Sequence, residues 1–488
     1  MTEPPSEDSP LLNQDGVRGR SVWTSMALFL VFQILILIPG ELVMATLGVQ
    51  FARSTFVRQR NFTLPVGGNA CDSSNISQEL NDIQSETALF STYQSFLVDL
   101  IPVVTGLPLT AVSDYTGRRP IILLRCLGPL IMATGFLVVS YFELSVYYAL
   151  IGSAVFGISG GYVLLNSVSL LYVTDIVSAK QRGVALATIY GTQNTVMYLA
   201  PFILNSLLGA LSSFTTIYLI VTCFALLALL WMLPPGIIRE SVEKRPVDLR
   251  DLAGSVTRGI RNVFASSTEG RRWRIVLIFV CYAVISFTLY GFQNTVDLYA
   301  LGKPFCWTPA QVGVYSLVYG VPNAVVAPFI VWFLERVLSD YWAIYLSVMC
   351  GVAQYLLTAV ATTNAVLVYG ATWAGLIFGI SQPVYVTLLT RLVNKHSHGA
   401  LFSVFTLVYS LGSATSLIVQ SYAYSLAVLS GHARDLFFVM AGLIGITFIP
   451  TVVLHILEPK EGFEADCKIT GKGGPNVLDG STQRTERC

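Results

Sequence analysis

Apolar residues run through this chain in blocks of about 20, each closed by a short polar or glycine- and proline-containing break. A bilayer core about 30 Å thick needs roughly 20 apolar residues per helix, and in lipid only helices and closed barrels satisfy every backbone amide. The blocks therefore predict membrane-crossing helices. Twelve are present, near 22–47, 89–112, 121–142, 146–173, 184–208, 214–233, 275–296, 312–334, 342–361, 365–389, 401–426 and 436–457. The polar stretch 234–274, which opens with Pro234-Pro235 and carries nine basic residues, divides them six and six. The expected organisation is a cytosolic tail (1–21), a six-helix half (22–233) with a long glycosylated loop (48–88), a cytosolic linker (234–274), a second six-helix half (275–457) and a cytosolic tail (458–488).

Composition agrees with an all-α membrane protein. Hydrophobic residues make up 54% and charged residues 12% of the 488, against roughly 25% charged in soluble domains. A soluble fold of this size would lack the residues for its surface. The net charge of +1 gives no basic face for nucleic acid. Eight cysteines without a C-x-x-C pair and four scattered histidines provide no metal set. No Ser/His/Asp set, phosphate loop or cofactor motif is visible, so neither an enzyme nor a cofactor is expected.

Loop charge sets the orientation. With the N-terminus cytosolic, 23 Lys/Arg fall on the cytosolic side and five on the other, with Arg125 inside the third span. Without the linker the bias is still 14 to five. Two acceptor sequons, Asn61-Phe62-Thr63 and Asn75-Ile76-Ser77, lie in the first loop on the opposite side, where N-glycosylation occurs. Both termini are thus expected in the cytosol.

Between the second and third spans stands Ser113-Asp114-Tyr115-Thr116-Gly117-Arg118-Arg119-Pro120. Gly117 permits a tight turn, Arg118 and Arg119 anchor at the anionic leaflet, and Asp114 is positioned to pair with an arginine. Asp175, at the cytosolic end of the fourth span, can join that network. The stretch resembles the loop signature of the major facilitator superfamily, whose twelve helices form two halves related by an axis along the membrane normal. One position departs from the signature: its usual glycine four residues before the aspartate is Thr110.

The segment Leu298-Tyr299-Ala300-Leu301-Gly302-Lys303-Pro304-Phe305-Cys306-Trp307 resembles the loop after helix seven in solute carrier family 46, the proton-coupled folate transporter family. Gly399-Ala400-Leu401-Phe402-Ser403 resembles that family's entry into helix eleven, and the spacing from Asp175 to Arg182 and the first loop with Cys71 also fit. The resemblance implies proton-coupled solute transport and a Cys71–Cys306 bridge between two non-cytosolic loops. It does not carry folate over. The family's functional acid, histidine and arginine fall here on Tyr190, Leu289 and Val386, so a different solute is expected.

Ionisable residues inside a membrane default to function. Asp99 is mid-span, Glu41 follows Pro39-Gly40, and Asp297 ends the seventh span, sharing a helix face with Tyr290, Gln293 and Asn294. The fourth span presents Asn166 and the fifth Tyr190, Gln193 and Asn194 at similar spacing; such residues also serve as glue between helices. Arg125 is expected to snorkel toward the cytosolic face. Asp99, the deepest carboxylate, is the expected proton acceptor, with Glu41 and Asp297 as partners.

The N-terminal tail carries Glu7-Asp8-Ser9-Pro10-Leu11-Leu12. An acid four positions before a Leu-Leu pair resembles a sorting signal read by adaptors, which places the protein in lysosomal or late endosomal membrane ahead of the plasma membrane. The expected function is secondary active transport of a small organic solute by alternating access, coupled to protons. The alternative is a receptor or scaffold of the same fold that moves nothing.

Overall fold

The computed structural model describes residues 22–42, 47–61, 77–177, 182–211, 213–234, 237, 272–303, 305–363, 366–392 and 398–456. Glu7, Leu11, Leu12, Cys71 and Asn75 lie outside the described residues. All regular structure among those described is helical. The first half contains α1 (Val22–Leu42), α2 (Gly48–Gln59), α3 (Ser77–Ser95), α4 (Ile101–Thr116), α5 (Arg118–Tyr141), α6 (Ala149–Ile158), α7 (Gly161–Ile176), α8 (Arg182–Leu211) and α9 (Phe214–Met232). The second contains α10 (Arg272–Leu301), α11 (Pro309–Val337), α12 (Asp340–Val360), α13 (Thr372–Phe378), α14 (Ser381–Leu392), α15 (His398–Leu429), α16 (Asp435–Ile446) and α17 (Phe448–Ile456). Each of the twelve apolar blocks coincides with one of these helices or with two consecutive ones. Seven helical stretches among the described residues are long and apolar enough to cross a membrane by length and composition.

Consecutive crossings run in opposite directions, so the bundle has two ends. One carries the first loop and the turns at 142–146, 301–309 and 429–435; the other carries Gly117 and the entry to the linker. We call them the first-loop end and the linker end. The apolar core lies in two pieces. One joins Met26 through Met232, the other Ile275 through Leu454, with Val49 and Ala88 of the first half packed into the second. Outside both, Leu124, Leu127 and Ile131 of α5 and Leu226, Leu227 and Leu230 of α9 are exposed, as lipid-facing positions require.

The stretch 48–88 is not a simple loop. α2 and the first turns of α3 run through it. Gln78, Glu79 and Asp82 lower the apolar content of α3, while Gln and Glu keep a high helix propensity, so the helix begins well before its apolar block. Asn61 sits exposed in the turn after α2. Cys306, just past α10, is disulfide-bonded, and its partner lies outside the described residues. Arg125 does not snorkel. It is 1% exposed, with its guanidinium over the ring of Phe156 at 4.7 Å, because α5 turns that face into the half rather than toward its surface.

Two crossings are interrupted. The fourth breaks at Ser159-Gly160, where Gly160 and Gly161 take φ of 92° and 46°. The tenth, the fourth of the second half, breaks at Gly379-Ile380 between α13 and α14. Broken helices at corresponding positions of two repeats point to a binding site between them. The break in the fourth crossing is locked by contact with the second. A Cβ built on Gly157 would lie 1.9 Å from the Leu97 carbonyl oxygen, and one on Gly161 2.4 Å from the Pro102 ring. Leu97 belongs to a π-helical turn, Phe96–Leu100, that joins α3 to α4 and contains Asp99. π-turns are rare and concentrate at functional sites. Gly157→Ala should therefore lower the melting temperature in detergent by several degrees, as overpacking by about 1–3 kcal/mol does. Gly442→Ala, where a Cβ meets nothing within 4 Å, should leave it unchanged or raise it; equal effects of the two would contradict the packing.

Candidate functional site

A cavity of about 340 Å³ lies between the two halves at mid-bundle. The first half contributes Ser91, Gln94, Ser95 and Asp99 from the second crossing, Tyr162 and Asn166 from α7, and Gln193 and Met197 from α8. The second half contributes Tyr290, Gln293, Asn294 and Asp297 from α10 and Tyr409, Ser410 and Ser413 from α15. Five expected site residues thus meet on one surface: Asp99, Asn166, Gln293, Asn294 and Asp297. Tyr190 and Asn194 lie in α8 and Glu41 in the last turn of α1, but their side chains are outside the described residues.

Polar groups on the walls bond largely to one another. Gln193 Nε2 donates to Asn166 Oδ1 at 3.1 Å, and Gln293 Nε2 to Asp297 Oδ1 at 3.3 Å. Asn294 Nδ2 donates to Ser421 Oγ at 2.8 Å and across the halves to Ser91 Oγ at 3.3 Å. Ser95 hydrogen-bonds the Asp99 side chain. The Tyr409 hydroxyl donates to that of Tyr290, and their rings meet edge-on with centroids 4.9 Å apart. These contacts hold the two carboxylates on opposite walls, one from each half.

The first-loop end of the cavity is sealed across the halves. Arg53 NH2 donates to the Leu301 carbonyl at 2.7 Å. Gln84 Nε2 donates to the Leu298 carbonyl and, at 3.0 Å, to the Tyr424 hydroxyl. The hydroxyls of Ser85 and Ser425 are 2.8 Å apart. A Cβ on Gly302 would lie 2.2 Å from Gln84, so glycine there lets the loop close over that side chain. Nearby, α8 meets α11 closely enough that a Cβ on Gly313 would lie 2.8 Å from Asn205.

At the linker end, Gly117 stands between α4 and α5 with φ 96°, a conformation that favours glycine. Arg118 Nε donates to Asp175 Oδ2 at 3.1 Å, and its NH1 to Ser113 Oγ. Arg119 NH2 donates to the Leu233 carbonyl at 2.6 Å. Asp114 is in the last turn of α4, with its side chain outside the described residues. The residues not evident from the sequence are Ser91, Gln94, Ser95, Tyr409, Ser410 and Ser413. Ser91, Gln94, Ser95 and Asp99 do recur at helical spacing, a signal that could have found the first three. For α15 no such signal stood out.

The seal makes a direct prediction. In detergent, a reporter cysteine replacing the buried Ser425 should react slowly with a polar maleimide, and Gln84→Ala should speed that reaction several-fold. An unchanged rate would mean that these cross-half bonds do not close the bundle.

The Major Facilitator Superfamily model matches residues 73–417, with a second match over 278–466. The proton-coupled folate transporter of Bos taurus is 25% identical over 78% of this chain and 81% of its own length. The lysosomal proton-coupled steroid conjugate and bile acid symporter SLC46A3 of Mus musculus is 23% identical over 81% of this chain and 86% of its own. Both are members of solute carrier family 46, whose loop motifs this chain resembles. Among solved structures, the human organic anion transporter MFSD10 superposes with a TM-score of 0.57 at 18% identity, covering 89% of this chain and all of that one. With a match over most of its length, the chain belongs to the Major Facilitator Superfamily: it is a multi-pass membrane transporter, not an enzyme.

Proposed function

We propose that the protein is a secondary active, proton-coupled transporter of a small organic solute, working by alternating access. The observation that carries this is the polar cavity between two halves with largely separate cores, closed at one end by bonds that cross between them. Two rigid bodies around a central site need only rock to expose it to one side and then the other. The membrane is that of the lysosome or late endosome, as the name of the mouse relative and the tail motif at Glu7, Leu11 and Leu12 support, with sorting adaptors reading the tail. Both termini face the cytosol. The first-loop end is then luminal, with Asn61 and Asn75 glycosylated and Cys71 bonded to Cys306.

Proton coupling falls to Asp99. A carboxyl group in a cavity is the simplest side chain to load at acidic luminal pH and empty into the cytosol, since burial favours its neutral form. Glu41 and Asp297 complete the set of carboxylates near the path, and Asn166, Tyr190, Asn194, Gln293 and Asn294 contact solute. Tyr190 stands where the family has an acid and cannot replace it, because an unperturbed phenol near pKa 10 stays protonated on both sides. Asp114, Gly117, Arg118, Arg119 and Asp175 govern the conformational equilibrium. Their charge pairs lie at the end of the bundle, away from the cavity, and favour one arrangement of the halves over the other.

Comparing lysosomal metabolites with and without the protein supplies the solute for flux assays in proteoliposomes. Asp114→Asn should lower turnover several-fold while leaving the order of preferred solutes unchanged; a reordered preference would move these residues into the binding site. Wild-type flux should rise steeply as luminal pH falls. Asp99→Asn should lose that dependence yet still exchange solute at equal concentrations. An intact pH profile in Asp99→Asn would remove it as the coupling site.

A further inference from the structure

We infer that the cavity takes an organic cation, its ammonium group held by Asp297 together with the side-chain oxygen of Gln293; this rests on the transporter reading above. The charge of the lining favours a cation. The lining carries two carboxylates, Asp99 and Asp297, and among the described lining residues no lysine, arginine or histidine. The buried arginines among the described residues are engaged elsewhere: Arg53 with the Leu301 carbonyl, Arg118 with Asp175, and Arg125 over the ring of Phe156. A carboxylate-bearing solute would leave water for a site of its own sign, with no counter-charge to offset the loss.

The orientation of Gln293 favours a donor-rich head group. Its Nε2 faces Asp297 Oδ1 at 3.3 Å. With Asp297 ionised, the reverse orientation would set two acceptors against each other, so the amide is assigned with Nε2 toward the carboxylate. Oε1 is then the amide atom turned away from Asp297. It is buried and has no hydrogen-bond partner, although Gln293 lines the cavity. Asp297 is itself 5% exposed and accepts from Gln293. The pair thus presents acceptors that lack a donor. A lone proton on Asp297 supplies one donor. A primary ammonium supplies three and no acceptor, so it serves both side chains at once.

The rest of the lining suits the carbon frame of such a solute. Tyr162, Tyr290 and Tyr409 border the cavity, and aromatic faces attract cations. A volume of about 340 Å³ is at the small end of ligand pockets. Asp99, on the other half, stays free of the ammonium and carries the coupling proton, so cargo and proton occupy different carboxylates.

Binding to the purified full-length protein in detergent tests this with four probes of similar shape: 2-phenylethylammonium, its trimethylammonium analogue, neutral 2-phenylethanol and anionic 3-phenylpropanoate. The primary ammonium should bind at least about tenfold tighter than the propanoate, a difference of about 1.4 kcal/mol. Asp297→Asn should abolish that preference. Gln293→Met should weaken the primary ammonium several-fold and the trimethyl form hardly at all. Equal or tighter binding of the anion, binding of none of the four, or an undiminished preference in Asp297→Asn would each overturn the assignment. Should Asp297→Asn fail to fold, the ranking on the wild-type protein decides alone. Transport is read separately. A selectively bound cation that never crosses a proteoliposome would refute the transporter reading and leave the site. An anion accumulated by the pH gradient would do the reverse.

Discussion

Hydrocarbon offers no partner to a polar group, and that penalty arranges the molecule from its rim to its centre. Leucines and isoleucines of α5 and α9 face outward, while Gln33, Ser113, Arg118 and Arg125 are buried. Gln33 donates to Ser169, closing α1 onto α7. Polar residues that find partners within one half become glue between its helices. Those that face the other half either seal the bundle, as Gln84 and Ser85 do, or line the cavity, as Asp99 and Asp297 do. The same constraint therefore makes a rigid half and a site between halves.

Rigidity within a half is visible at its closest contacts. Gly157 lies against the Leu97 carbonyl and Gly161 against Pro102, which ties the fourth crossing to the second beside the π-turn that carries Asp99. Both glycines meet backbone or ring atoms, which cannot swing aside as a flexible side chain can. The cross-half contacts at the first-loop end are made by side chains: hydrogen bonds to carbonyls and hydroxyls of the opposite half, replaceable by water once that end opens, and the side chains of Gln84 and Asn205 against Gly302 and Gly313. A boundary made of exchangeable hydrogen bonds, between cores that do not exchange, is what reciprocal opening requires.

Much of this was legible in the sequence, for physical reasons that also mark where reading fails. Apolar blocks of bilayer length locate the crossings because lipid enforces them. The start of α3 escaped because its helix extends beyond the apolar block, through Gln78, Glu79 and Asp82. The break at Gly160-Gly161 escaped because it goes with the packing of Gly157 and Gly161 against Leu97 and Pro102 of the second crossing, a contact no local pattern records. Asp99 and the face of Gln293, Asn294 and Asp297 were legible because charge and amides are costly in a membrane. Tyr409, Ser410 and Ser413 were not, since hydroxyls serve equally well as glue, and only the approach of α15 to α3 gives them a cavity. Gln84 and Arg53 lay in a stretch that reads as loop, so their part in the seal emerged only from the fold.

The central claim is that two rigid halves open reciprocally about the cavity. Spin labels report it directly by double electron–electron resonance, placed at exposed positions on opposite halves. One pair, at Glu143 and Ser430, spans the first-loop end; the other, at Pro120 and Val337, spans the linker end. On stepping the pH from about 7.5 to about 5, which drives protons onto the cavity, one distance should lengthen as the other shortens. Distances that stay fixed, or that change in the same direction at both ends, would contradict the account.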